Sequence, residues 1–184
     1  HVTADPVIRV KTPEPELGLG ILEEEGCPRR PGRLTVGWAV KSRKSGKPFL
    51  REVERCIRWL REEYGADSVL IPFFHDEDVA ICEAVAQGLD GQAGCLRKTD
   101  LSEETLSIIG CMDVLVGVRL HSLIYAAVMG VPMIGVSYDP KVDSFLASIR
   151  QNTPFTVEDF TLEGFQTVFR QVMADRETIR QTVA

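Results

Sequence analysis

Between Arg33 and Ser137 the chain alternates short, continuous apolar runs with longer stretches in which apolar residues return at helical spacing. The short runs are "RLTVGWAV" (33–40), "SVLIPFF" (68–74), "GCLRK" (94–98), "DVLVGV" (113–118) and "PMIGVS" (132–137), and they predict five strands. Between them lie the helical patterns "FLREVERCIRWLREEYG" (49–65), "DEDVAICEAVAQGL" (76–89), "SEETLSIIG" (102–110) and "LHSLIYAAVMG" (120–130), with Ser102 placed to cap the third. After Asp139, "KVDSFLASI" and "LEGFQTVFRQVMADRETIRQ" are again helical and either pack on the sheet or reach toward another domain.

Strands apolar on both alternating faces, each followed by a helix, predict a parallel sheet covered on both sides. The expected fold class is therefore α/β, a Rossmann-like parallel sheet with helices on both faces. Residues 1–33, rich in Pro, Gly and Glu and without a sustained period, read as a linker or N-terminal arm that includes a short helical piece. The compact domain is expected over residues 34–184. The chain begins with His1, and "HVTADPVI" reads as the interior of a longer protein, so an N-terminal domain is expected upstream.

Composition narrows the partners. The 184 residues are 44% hydrophobic and 26% charged, enough for one sizeable core. With 21 basic against 27 acidic residues the net charge is −6, so no general field draws the protein to nucleic acid, and an anionic ligand must be held by a local cluster. Cys27, Cys56, Cys82, Cys95 and Cys111 form no CxxC pair, and their odd number argues for free thiols in a reducing cytosol. The most apolar stretch, Leu123 to Val136, is too short to span a bilayer and is broken by Gly130-Val131-Pro132.

In open α/β sheets ligands bind outside the carboxyl ends of the strands, which makes each strand-to-helix junction a candidate. Leu120, Leu123, Ile124, Ala127 and Val128 share a helical face and turn toward the sheet; His121 lies off that face, in a first turn that already favours an anion. Arg119 precedes it with a two-pronged donor. The pair suits a phosphate or a carboxylate; equally, Arg119 can serve a surface carboxylate while His121 caps the helix or packs on Tyr125. Lys141 stands at a helix start where the dipole disfavours a cation, which hints at an anion nearby.

The loop "KSRKSGK" (41–47) carries Lys41, Arg43, Lys44 and Lys47, a pattern as common in solvated connections as in sites. His75 with Asp76, Glu77 and Asp78 reads as helix capping, and no metal site is expected. "GLG" at 18–20 lacks the third glycine of a dinucleotide fingerprint, and no GxSxG elbow appears.

The stretch "DVLVGVRLHSLIYAAVMGVPMIGVSYDPKV" resembles the signature of the polysaccharide pyruvyl transferase family through its Arg-Leu-His, Gly-Val-Pro and Ser-Tyr-Asp-Pro-Lys elements. Weaker similarity runs back through "IPFFHDEDV" and "LTVGWAV" to "VTADPVI", so the chain corresponds to the family's C-terminal half. The resemblance implies a two-domain, GT-B-like transferase with its site in the interdomain cleft. Its donor is phosphoenolpyruvate and no further cofactor is expected. The acceptor is a sugar of a cell-wall or exopolysaccharide precursor, lipid-linked in one version, on which a pyruvate ketal forms; the implied location is the cytoplasm, including the inner face of the membrane.

On that basis His121 is the catalytic candidate, with Arg119, Lys141, Lys41 and Arg43 as substrate-binding candidates. Lys41 stands where relatives often have an arginine, and it keeps the charge but not the planar fork. Two other readings use the same residues: a GT-B-type glycosyltransferase with a nucleotide-sugar donor, and a non-catalytic anion-binding domain.

Overall fold

The computed structural model describes residues 13–41, 46–73, 75–97 and 103–183, and the side chains of these except 75, 76 and 176–183. Six parallel strands form one sheet in the order β3-β2-β1-β4-β5-β6. They are β1 (Thr35–Ala39), β2 (Asp67–Leu70), β3 (Ala93–Cys95), β4 (Val114–Gly117), β5 (Met133–Ser137) and β6 (Phe155–Thr156). The helices are α1 (Pro15–Glu24), α2 (Lys47–Tyr64), α3 (His75–Gln87), α4 (Glu103–Gly110), α5 (Leu120–Val128), α6 (Pro140–Ser148) and α7 (Leu162–Val183). The Rossmann-like class expected from the apolar runs is the observed one. The strand order reverses between β1 and β4, which makes their carboxyl ends the topological switch point of the sheet.

The two-residue period of the strands sorts their side chains into two core layers. Val36, Trp38, Val114, Val116, Ile134 and Val136 face a layer built with α2, α3 and α7. Ala39, Val69, Leu115 and Met133 face the opposite layer, against α1, α4, α5 and α6. The first layer is aromatic: Trp38, Trp59, Phe165 and Phe169 pack with ring centroids 5.5 to 6.1 Å apart. α2 fits because Val53, Cys56, Ile57 and Leu60 recur at helical spacing, and Gly65 ends it in the left-handed conformation at φ 59°.

Two features differ from the sequence reading. β6 is two residues long, too short to show a period, and joins the sheet beside β5 through Val136–Phe155 and Ser137–Thr156 pairing. The second difference concerns residues 13–33, which read as linker but belong to the packed domain. Leu22 of α1 is fully buried, Ser107 Oγ donates to the Glu14 carbonyl at 3.0 Å, and Arg29 reaches Asp113 at 2.9 Å. The docking depends on Gly18, since a Cβ there would overlap the Ser107 carbonyl of α4. α1 is the short helical piece expected here; what alternating Pro, Gly and Glu hides is its docking, because one buried leucine and one glycine contact suffice to seat it. Among the described residues no helix is long and apolar enough to cross a membrane.

If α1 is part of the domain, Gly18→Ala lowers stability by about 1–3 kcal/mol through overpacking and Leu22→Ala by about 2–5 kcal/mol through the cavity it leaves. Urea denaturation of the variants measures both, and unchanged midpoints would show that α1 is an appendage.

Candidate functional site

Lateral pairing of β2, β1, β4 and β5 lines up their carboxyl ends, with Trp38 opposite Leu70, Ala39 opposite Gly117, and Gly117 opposite Gly135. The segments that follow these strands are therefore neighbours, although they lie far apart in sequence. Gly117 ends β4 against α5: a Cβ there would lie 2.6 Å from Ser122 Oγ and 2.8 Å from Leu123 Cδ2, so the first turn of α5 rests on the strand end. Ser122 Oγ donates back to the Arg119 carbonyl at 2.6 Å and tightens that turn. As expected, Leu123 and Ile124 are buried and Leu120, Ala127 and Val128 pack behind them, while His121 is half-buried.

Arg119 occupies the N-cap position of α5, and its guanidinium is held by Asp78 of α3. Nε donates to Asp78 Oδ2 at 3.1 Å and Nη2 donates to Oδ1 at 2.5 Å, the parallel two-bond geometry that favours Arg with a carboxylate. Asp78 is completely buried, and its Oδ2 also accepts the Phe73 backbone N–H at 3.3 Å. Sequence reasoning assigns Arg119 to an incoming anion or to a surface carboxylate. The structure engages one edge of its fork with a buried carboxylate instead. Asp78, read as a helix cap, is the residue that sequence analysis missed as part of the site; it stands 41 positions from Arg119, and no local pattern marks such a pair. Because α3 follows β2 and α5 follows β4, the ion pair spans the carboxyl end of the intervening β1.

A second bridge crosses the first. Lys41, just beyond β1, places its Nζ 4.1 Å from the ring centroid of Tyr138, just beyond β5, so the contact spans the end of β4. Tyr138 is the other residue missed, since nothing in "SYDPK" marks its ring as a cation seat. Lys141 is exposed in the first turn of α6, where Asp139 caps the helix by accepting the Lys141 N–H at 3.0 Å. The anion inferred beside Lys141 is thus supplied at least in part by the protein itself. Arg43 lies outside the described residues, as do the side chains of His75 and Asp76.

The structure thus puts the segments bearing Lys41, Arg119, His121 and Lys141 on one end of the sheet. Arg119 is tied into the scaffold, and His121, Lys41 and Lys141 are left at or near the surface. The first turn of α5 has no side-chain cap, so its N–H groups and the positive end of the helix dipole reinforce the cations. This arrangement can hold an anion with more than one charged group and place an imidazole beside it. A cavity of about 160 Å³ also opens at the opposite end of the sheet, lined by Arg30, Thr35, Arg61 and Asp67. Its cations Arg61 and Arg30 face Asp67 at 3.2 and 3.6 Å, and it lies away from the carboxyl ends where this fold binds ligands.

Breaking the buried pair from one side strands a charge. Asp78→Ala is expected to destabilise by about 3–5 kcal/mol, and the double change Asp78→Ala with Arg119→Met to recover most of that loss. Chemical denaturation of the single and double variants tests this, and additive losses would contradict a coupled pair.

Solved structures resembling this chain include E. coli ADP-heptose LPS heptosyltransferase II, at 12% identity and TM-score 0.64 over 91% of this chain and 54% of that one. They also include S. aureus MnaA in a co-structure with UDP, at 12% identity and TM-score 0.66 over 94% and 44%. A third is WaaG, a glycosyltransferase involved in lipopolysaccharide biosynthesis, at 14% identity and TM-score 0.62 over 97% and 48%. At these identities the likeness is one of fold, and the chain spans about half the length of each. A search of curated proteins returned no match. The sequence profile described as "Polysaccharide pyruvyl transferase" matches residues 1–140, from the start of the chain through β5 to the first residue of α6. The chain belongs to the polysaccharide pyruvyl transferase family.

Proposed function

We propose that this chain is the donor-binding half of an enzyme that transfers the pyruvyl unit of phosphoenolpyruvate to a sugar as a ketal. The observation that carries the reading is the juxtaposition at the α5 terminus. An imidazole, an uncapped helix start and the cations Lys41, just beyond β1, and Lys141, in the first turn of α6, share one end of the sheet, in a chain of this family. Phosphoenolpyruvate carries a carboxylate and a phosphate, and a site for it must answer both charges. Its C2 becomes electrophilic when a proton is added to the methylene carbon. One sugar hydroxyl then adds to C2 and phosphate departs with the C2–O bond electrons, after which the second hydroxyl closes the ketal. Of the two hydroxyl protons released, the net balance returns one to the acid that protonated carbon and gives the other to phosphate.

In this scheme His121 is the proton donor, since imidazole is the side chain whose ordinary titration lies nearest neutral pH. The α5 N–H groups and Lys41 hold one anionic group, and Lys141 neutralises phosphate as it leaves. Arg119 acts mainly as scaffold, fixing the α5 terminus through Asp78. The acceptor sugar and the opposite wall of the cleft belong to the rest of the enzyme.

A nucleotide-sugar reading is favoured by one finding, the likeness to a fold solved with UDP. A ribose-binding carboxylate at this end would fall to Asp139 or Asp143. Asp139 already caps α6, which weakens that reading.

In the full-length enzyme, His121→Ala lowers kcat by about 10²–10⁴ while the circular dichroism spectrum is kept. Phosphate release from phosphoenolpyruvate in the presence of acceptor measures this, and near wild-type turnover would remove His121 from the chemistry. Lys41 offers a finer test through its ring contact, worth about 0.5–2 kcal/mol. Tyr138→Leu should raise the donor KM by about 2- to 30-fold and Tyr138→Phe should leave it near wild type. Equal effects of the two changes would show that the hydroxyl, and not the ring face, is what matters.

A further inference from the structure

Four of the five cysteines are shut into the core: Cys27, Cys56, Cys82 and Cys111. Cys95 differs. It is half-buried at the end of β3, the edge strand, and lines a surface cavity with Glu24, Glu25 and Arg97. Cys82 of α3, the helix that packs on β3, has no exposure and lies in the core layer on which Cys95 packs, while Cys95 Sγ donates to the Leu96 carbonyl at 3.5 Å.

Strand geometry selects this pairing over the others. Ala93 and Cys95 turn toward the layer that contains Cys82, and Gly94 turns the other way. Cys27 Sγ fills the place a Cβ on Gly94 would take, so it sits on the opposite face of the same strand. The backbone of β3 therefore separates Cys27 from Cys82.

The electrostatics separate the two partners. Burial pushes the thiols of Cys27, to about 11, and of Cys56 and Cys111 upward. Cys82 is raised by its hydrogen bond to Cys95 and by burial, so it keeps its proton. Cys95 moves the other way: the hydrogen bond from Cys82, helped by the Arg97 guanidinium, outweighs burial and the Glu83 and Glu25 carboxylates. A half-buried thiol on an edge strand backed by a fully buried one has the layout of a redox-responsive pair.

We propose that Cys95 and Cys82 form an oxidisable dithiol in which Cys95 attacks a hydroperoxide and Cys82 then closes a disulfide between β3 and α3. The Cys95 thiolate sulfur attacks one peroxide oxygen; the O–O bond breaks, Cys95 becomes a sulfenic acid and the leaving oxygen takes a proton. The Cys82 sulfur attacks the sulfenic sulfur, the S–O bond breaks, and hydroxide leaves as water with the Cys82 proton. Two thiols lose two electrons and two protons, and hydrogen peroxide is reduced to two waters. Cys82 stands four residues, about one turn, after Asp78, so closure bears on the helix that anchors Arg119. The step does not depend on the transferase reading.

The test treats reduced full-length protein with hydrogen peroxide, removes the oxidant, blocks remaining thiols with N-ethylmaleimide and maps the peptides. A linked peptide joining Cys82 to Cys95, reversed by dithiothreitol, is the expected main product. With Cys82→Ser, dimedone should label Cys95, because the sulfenic acid has no thiol to resolve it; the wild-type map decides the question even if that variant folds poorly. Equal maleimide capture of Cys82 and Cys95 before and after peroxide, or a main link from Cys95 to Cys27 or to a second molecule, overturns the proposal.

Discussion

The Asp78 carboxylate has no contact with solvent; Arg119 meets it with two parallel hydrogen bonds and the Phe73 N–H adds a third. Removing such a charge from water costs several kcal/mol, which the pair recovers only when its geometry is held closely. That demand fixes more than two side chains. It locks the segment after β2 to the segment after β4 across the end of β1, and so sets where the first turn of α5 points. The Lys41–Tyr138 contact crosses in the other sense, over β4, and both depend on the lateral order of the sheet.

From this scaffold the division of labour follows. A charge already engaged with a buried carboxylate is a poor mobile ligand, whereas a half-buried imidazole on an uncapped helix start, Lys41 beyond β1 and Lys141 in the first turn of α6 are available to an anion. In the proposed reading Arg119 supports the site through Asp78, and His121, the α5 backbone, Lys41 and Lys141 recognise the donor. A helix terminus at a switch point serves many phosphorylated ligands, so the fold by itself does not choose among them.

Much of the fold is written in local pattern. Continuous runs such as "DVLVGV" announce a strand buried on both faces, and Leu123, Ile124, Ala127 and Val128 announce the packed face of α5. What stays hidden is whatever depends on distant partners or on very short contacts. α1 is seated by Gly18 and Leu22, β6 has two residues, and Asp78 differs from an ordinary helix cap only through a guanidinium 41 positions away. At the site, the motif "VRLHS" points to the right turn, but Arg119 takes on its supporting role through tertiary packing that no spacing rule reports.

The central claim is that the α5 end of the sheet is built for a small donor with two anionic groups. Calorimetric titration of the full-length protein with phosphoenolpyruvate, inorganic phosphate and UDP addresses it directly. The account predicts saturable binding of phosphoenolpyruvate, weaker binding of phosphate, and loss of the phosphoenolpyruvate signal in Lys41→Met with Lys141→Met. Tight binding of UDP with no response to phosphoenolpyruvate would contradict it.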